Sequence, residues 1–166
     1  MSEIIWQFIL VIIALFFVCF TFVVAFGAPY LPTLKPRIND AFNLLNLKPG
    51  QTLLELGSGD GRVLKEAAKR GYRAIGIEYN PILVVYSWFA TFKYRKSIKI
   101  MWGDFWIKSW PQTDAVFVFL LDRYMPKLDS KMSKLEQKNV KLVSFAFKIP
   151  NKKISKKRRG VYLYLY

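Results

Sequence analysis

The sequence predicts an α/β domain, a mostly parallel sheet with helices on both faces, preceded by one N-terminal transmembrane helix. Three observations carry that expectation. Residues 4–26 form an apolar run without a charge. Short apolar runs further on alternate with helix-period segments, as strand–helix–strand units do. Between these, Leu53-Leu54-Glu55-Leu56 passes directly into the glycine-rich turn Gly57-Ser58-Gly59-Asp60-Gly61 and a helix start at Arg62.

Composition agrees with a chain in two parts. The 166 residues are 53% hydrophobic yet carry a formal charge of +15, a combination that suggests a membrane part joined to a basic soluble part. There is no histidine, which excludes His-based triads, His metal sites and His acid/base chemistry. Cys19 is the single cysteine, so no intrachain disulfide and no zinc site is expected, and no metal is called for.

The elements follow in order. Ile4 to Phe26 is 23 residues, and about 20 suffice to cross the hydrocarbon core as a helix. A core helix rarely stays apolar on every face for so long. A cleaved signal peptide wants a basic start and a shorter apolar stretch, whereas this chain opens Ser2-Glu3; Ala25-Phe26-Gly27 could mimic a cleavage site. All 26 basic residues follow the run, with Lys35 and Arg37 close behind it, which places the N-terminus outside and the domain in the cytosol. The basic face would also suit anionic lipid. Residues 27–36 hold three prolines and read as a stiff linker, leaving 37–166 as the domain. Arg37 to Leu47 reads as a short amphipathic helix, ended by Lys48-Pro49-Gly50.

Strands are expected at 52–56, 72–77, 97–101, 115–121, 140–147 and 161–166. Helices are expected at 62–70, at 81–94 with proline in its first turn, and over much of 123–138, broken by Pro126. Residues 151–159 carry six basic side chains. They read as a solvated loop, a membrane-surface contact or a nucleic-acid contact; nucleic acid is least favoured, because no aromatic residues interleave the run.

In an open α/β sheet, ligands bind beyond the C-terminal strand ends, near the switch point. Glu55, Gly57, Ser58, Gly59, Asp60 and Gly61 fall there after the first strand, Glu78 after the second, Gly103-Asp104 after the third and Asp122 after the fourth. The glycines run G-x-G-x-G, and Arg62 stands where a dinucleotide fingerprint has its third glycine. A pyrophosphate wants backbone N–H groups free of neighbouring carboxylates. Here five of eleven acids gather at one sheet end. That set suits a cationic nucleoside with a ribose diol, which S-adenosylmethionine is.

Glu55 to Arg62, Gly76-Ile77-Glu78-Tyr79-Asn80-Pro81 and Gly103-Asp104-Phe105-Trp106 together resemble a class I S-adenosylmethionine-dependent methyltransferase, of Rossmann-like fold. With the apolar run and Ala28-Pro29-Tyr30-Leu31-Pro32-Thr33, the chain resembles more narrowly the membrane-anchored lysine methyltransferases of adenine nucleotide translocase and the ATP synthase c subunit, and their prokaryotic relatives. The resemblance implies that Gly57, Gly59 and Gly61 admit the methionine part, with Ser58 in the same turn. Glu55 and Asp60 would hold its amino group, and Glu78 the ribose hydroxyls. Tyr79, with Asn80 beside it, would pack on the adenine, Asp104 would accept from its amino group, and Phe105 would lie beside the ring. Tyr30 and Thr33 would cover the cofactor or shape the substrate entrance. Leu120-Leu121-Asp122-Arg123 departs from the Asn-Pro-Pro-Tyr-type motif used on planar amines. Asp122 is the carboxylate placed for a catalytic base or for attracting an ammonium; a helix N-cap is its other reading.

The expected function is methylation of protein lysine by a membrane-anchored, S-adenosylmethionine-dependent enzyme. Other readings are N-methylation of a lipid amine or small molecule at the bilayer, or a non-catalytic cofactor-binding membrane module.

Overall fold

The computed structural model describes residues 2–26 and 31–166, and within the first segment the side chains of residues 3–17 and Thr21. The chain divides into two compact units, Met1–Leu31 and Pro32–Tyr166.

The first unit holds helix α1, Ser2–Phe26. Its large apolar side chains from Ile4 to Phe17 are exposed. Among the described residues, no helix is long and apolar enough to cross a membrane. The expected transmembrane helix is therefore not borne out by the described residues.

The second unit is built on a seven-stranded sheet. Its elements are α2 (Lys35–Leu45), β1 (Thr52–Leu56), α3 (Arg62–Lys69), β2 (Arg73–Glu78), α4 (Pro81–Ala90), β3 (Ile98–Trp102), β4 (Ala115–Val118), α5 (Met125–Ser133), β5 (Lys141–Phe145), β6 (Lys156–Arg158) and β7 (Val161–Leu165). The strand order is β3-β2-β1-β4-β5-β7-β6. The first five strands run parallel to one another, and β7 runs antiparallel to both β5 and β6. The order reverses between β1 and β4, which makes that junction the switch point.

Side-chain alternation divides the core. Leu53, Phe117, Val143 and Leu163 face one layer with Ile38, Phe42 and Leu45 of α2 and Val63, Leu64 and Ala67 of α3. Leu54, Leu56, Val116, Val118, Leu142 and Tyr164 face the other with Met125, Leu128 and Met132 of α5. Strand period two therefore puts Glu55 on the α2/α3 side, in line with Leu53.

Several boundaries differ from expectation. Proline at the first turn starts a helix rather than breaking it, because the missing N–H is one the helix does not need. Pro36 thus sits inside the first turn of α2, and Pro126 opens α5 instead of interrupting it. The helix expected at 81–94 ends at Ala90 and continues as the 3-10 turn Phe92–Tyr94. Strand β4 stops at Val118, and a 3-10 turn, Asp122–Tyr124, follows. The basic run is not simply a solvated loop. Lys156–Arg158 forms the sheet edge as β6, and Arg158 and Arg159 bind the buried Asp40 carboxylate of α2 at 2.9 and 2.6 Å. Lys152 pairs with Asp129 at 2.9 Å.

Candidate cofactor site

Five backbone and side-chain contacts assemble the turn after β1. The N–H groups of Gly57 and Ser58 donate to the Ile77 carbonyl at 2.8 and 3.2 Å, carrying the β1–β2 pairing past the strand end. The Gly59 N–H donates to Glu78 Oε2 at 2.8 Å, and the Asn80 N–H donates to Glu78 Oε1 at 2.9 Å. Gly61 donates to the Ser58 carbonyl at 2.9 Å and starts α3. Gly57 and Gly61 hold φ of 75° and 77°, a region where a side chain is strained. They differ in surroundings. A Cβ on Gly57 would meet nothing within 4 Å, whereas one on Gly61 would meet Thr91 Cγ2 at 2.9 Å and Ser87 Cβ at 3.2 Å. Gly57 lines open space; Gly61 packs α3 against α4.

Glu55 is the most perturbed group. It is buried, and its Oε2 and the buried Ser58 Oγ have no hydrogen-bond partner among the described residues. Leaving such an atom unpaired costs about 1–3 kcal/mol. Burial pushes the Glu55 carboxyl well above its ordinary value, and the Asp60 and Glu78 carboxylates push it further, against the pull of Arg62. A cation bearing N–H donors would answer both the unpaired oxygen and the crowding of negative charge.

Asp60 is differently placed. Arg62 grips it through Nε and Nη2 at 3.0 and 2.8 Å, and the Arg62 N–H donates to Oδ1 at 3.2 Å. Arg62 Nη1 also reaches the carbonyl of the buried Thr33 at 3.4 Å. The pairing leaves Glu55 as the better placed of the two acids to hold an amino group. Residue spacing gives one signal for the pair, since an arginine two positions past an aspartate at a helix start can fold back on it.

The remaining expected residues gather on the same sheet end. Tyr79 is 44% exposed beyond β2, and its carbonyl accepts from Trp102 Nε1 at 3.0 Å. Asn80 caps α4, its Oδ1 accepting from the Ile82 N–H at 2.9 Å. Asp104 caps the turn after β3, accepting the Trp106 N–H at 2.7 Å. Phe105 packs on Trp106, ring centroids 4.7 Å apart, and Lys131 of α5 pins this loop through the carbonyls of Trp106 and Lys108. Asp122 is exposed at the start of its 3-10 turn, after β4. Tyr30 lies outside the described residues. Gly76 opens the second motif but is given no role from the sequence; a Cβ there would strike Ser58 Oγ at 2.5 Å and Leu64 Cδ1 at 2.7 Å, so glycine lets Ser58 and α3 seat against β2.

The comparisons with known proteins agree on one group. The ANTKMT methyltransferase domain matches residues 55–156, which contain most of the site. A lysine N-methyltransferase of the ATP synthase c subunit, from Xenopus laevis, is 30% identical over 125 residues, 74% of this chain and 55% of that protein. The adenine nucleotide translocase lysine N-methyltransferase of Mus musculus is 30% identical over 125 residues, 74% of this chain and 54% of that protein. The chain thus spans about half the length of the relatives it matches. Among solved structures, an RNA methyltransferase from Salinibacter ruber in complex with S-adenosyl-L-homocysteine superposes with a TM-score of 0.77 at 24% identity, covering 81% of this chain and 93% of that one. That likeness shows the Rossmann-like methyltransferase fold. The residues present fit S-adenosylmethionine, since the buried Glu55 Oε2 and Ser58 Oγ have no hydrogen-bond partner among the described residues and Gly57 faces open space, which a cationic amino acid group would answer. With the domain match covering more than half of its length, the chain belongs to the ANTKMT methyltransferase domain family.

Proposed function

We propose that this protein is an S-adenosylmethionine-dependent protein-lysine N-methyltransferase that works at a membrane. The observation that carries the cofactor step is Glu55, a buried carboxyl with an unpaired oxygen beside the Gly57 turn. The lysine step is supported by the relatives, whose names specify lysine. Those names give two different acceptor proteins at equal identity, so the acceptor within this reading is a protein lysine and no more specific.

S-adenosylmethionine supplies an electrophilic methyl group on a sulfonium. The chain's residues bind and orient. Glu55 and Ser58 would hold the amino group of the methionine part, with the Asp60–Arg62 pair fixing the turn around it. Glu78 would exchange its Gly59 and Asn80 contacts, in part, for the ribose hydroxyls. Tyr79, Asp104 and Phe105 would frame the adenine, and Thr33 and Tyr30 the entrance. The acceptor must arrive as a neutral amine, in line with the methyl group, and its ammonium proton must leave first. Asp122, exposed beyond β4, would draw the lysine ammonium to the sheet end and take up or relay that proton.

Membrane attachment belongs to the same proposal. The sequence 4–26 carries no charge, α1 is helical over 2–26, and Lys35 and Arg37 follow it. A single-pass anchor with the catalytic domain on the cytosolic side is the reading these features support. It would raise the local concentration of membrane-embedded acceptors. Calorimetry with S-adenosylmethionine tests the cofactor step: binding by the native protein and its loss in Glu78→Ala support it, and no binding by the native protein overturns it.

A further inference from the structure

The proposed chemistry leaves one large surface unused. In α4 only Ser87 is buried. Ser87 and Thr91 make the close contact with Gly61, while the large side chains turn outward. Ile82, Val85, Tyr86, Trp88, Phe89 and Phe92 are between 47% and 70% exposed. A helix apolar around most of its circumference belongs in a core or in lipid, and contiguous exposed patches of this kind mark interaction sites. Charge narrows the partner. Residues 79–103 contain no Asp or Glu, and Lys93, Arg95, Lys96 and Lys99 are all exposed just behind the apolar patch. A second copy docked on the same face would set these cations against their own kind. Trp, Tyr and Phe edged by Lys and Arg match the layered chemistry of an anionic bilayer surface, apolar inside and negative at the headgroups.

We infer that α4 and the turn Phe92–Tyr94 form a second, interfacial membrane contact, which lays the catalytic domain on anionic lipid. The contact rests on the α4 surface alone and depends neither on the lysine reading nor on α1 crossing the bilayer. Because Asn80 caps α4 and Glu78 lies two residues before that, docking would hold the cofactor end of the sheet at the lipid surface.

The test uses the full chain with Cys19→Ser and Phe89→Cys, the new thiol carrying an environment-sensitive fluorophore. It is mixed with vesicles of phosphatidylcholine and phosphatidylglycerol that include a quencher-bearing lipid. The expected result is a blue shift and lipid quenching at position 89, both weaker in pure phosphatidylcholine. A label at Ser133→Cys on α5 should stay unquenched. Lys93→Glu with Lys96→Glu should remove the preference for anionic vesicles while leaving S-adenosylmethionine binding unchanged. Absence of quenching at 89 overturns the inference. So does equal quenching at 133, or a blue shift that needs no lipid and grows with protein concentration, which would mean a second copy. A label at Phe8→Cys reads α1 separately, so a failed anchor is distinguishable from a free α4.

Discussion

The Glu78 carboxylate accepts the Gly59 N–H at 2.8 Å, so the acid at the end of β2 holds the glycine turn that follows β1. Its other oxygen accepts from Asn80 at 2.9 Å, which ties the same carboxylate to the start of α4. One side chain thus sets the separation of two loops between which the cofactor would sit. Replacing Glu78 by Ala removes both bonds and the acceptor for the ribose diol. Hydrogen bonds to a charged group are worth about 1.5–3 kcal/mol each, so affinity should fall by about tenfold or more. Titration calorimetry of the native protein and Glu78→Ala checks this; Glu78→Gln, which keeps one acceptor, should fall between them.

Glu55 gives a pH prediction with a definite sign. Its folded carboxyl is raised above the ordinary value, chiefly by burial and then by Asp60 and Glu78. The native state therefore binds a proton more tightly than the unfolded chain. Between the unfolded and folded values, stability falls as pH rises. Glu55→Gln should remove that slope and raise the melting temperature of the free protein at neutral pH. Arrival of a cationic amino group favours the carboxylate, so cofactor binding should release a proton and tighten as pH rises. Calorimetry in buffers of different ionisation enthalpy measures the released proton, which Glu55→Gln should abolish together with most of the affinity.

The two glycines at the ends of the turn should separate binding from stability. Gly57→Ala adds a Cβ to open space, at a cost of about 1–2 kcal/mol for the left-handed backbone, and blocks the face the ligand would approach. Gly61→Ala carries the same backbone cost plus a 2.9 Å contact with Thr91 Cγ2, so it should melt lower. Thr91→Ser deletes that methyl group and keeps the hydroxyl that donates to the Ser87 carbonyl at 2.7 Å. Added to Gly61→Ala, it should recover part of the lost melting temperature.

Asp40 anchors the basic edge of the sheet. The hydrogen bonds from Arg159 hold its carboxyl below the ordinary range against the opposing effect of burial, and Arg158 and Arg37 add to the pull. Stability from a depressed carboxyl is present above the unfolded value and is lost as pH falls through the folded one. Asp40→Asn should therefore lower the melting temperature at neutral pH, and the gap to the native protein should close in acid. Thermal melts followed by circular dichroism across the acid range measure both.

The parallel strands and the acids at their ends could be read from the sequence because apolar runs and glycine turns are local signals. Glu55, Glu78 and Asp104 stand at the ends of β1, β2 and β3, as those runs predict. What lay beyond reach was decided by tertiary contact. Lys156–Arg158 has no apolar alternation to mark a strand; β7 supplies its hydrogen bonds and Asp40, more than a hundred residues earlier, its counter-charge. The role of Gly76 depends on Ser58 and Leu64 crowding one point, which no spacing along the chain encodes. The outward-facing Trp88 and Phe89 also escaped notice, since an apolar helix reads in sequence as a buried one.

The most direct test of the central claim is methyl transfer itself. Membranes incubated with the full chain and methyl-labelled S-adenosylmethionine should take up label in protein, and mass spectrometry of the labelled band should find methyl-lysine. Glu78→Ala should take the signal away. Label recovered in the lipid or nucleic-acid fraction, or no label above that of Glu78→Ala, would contradict the account.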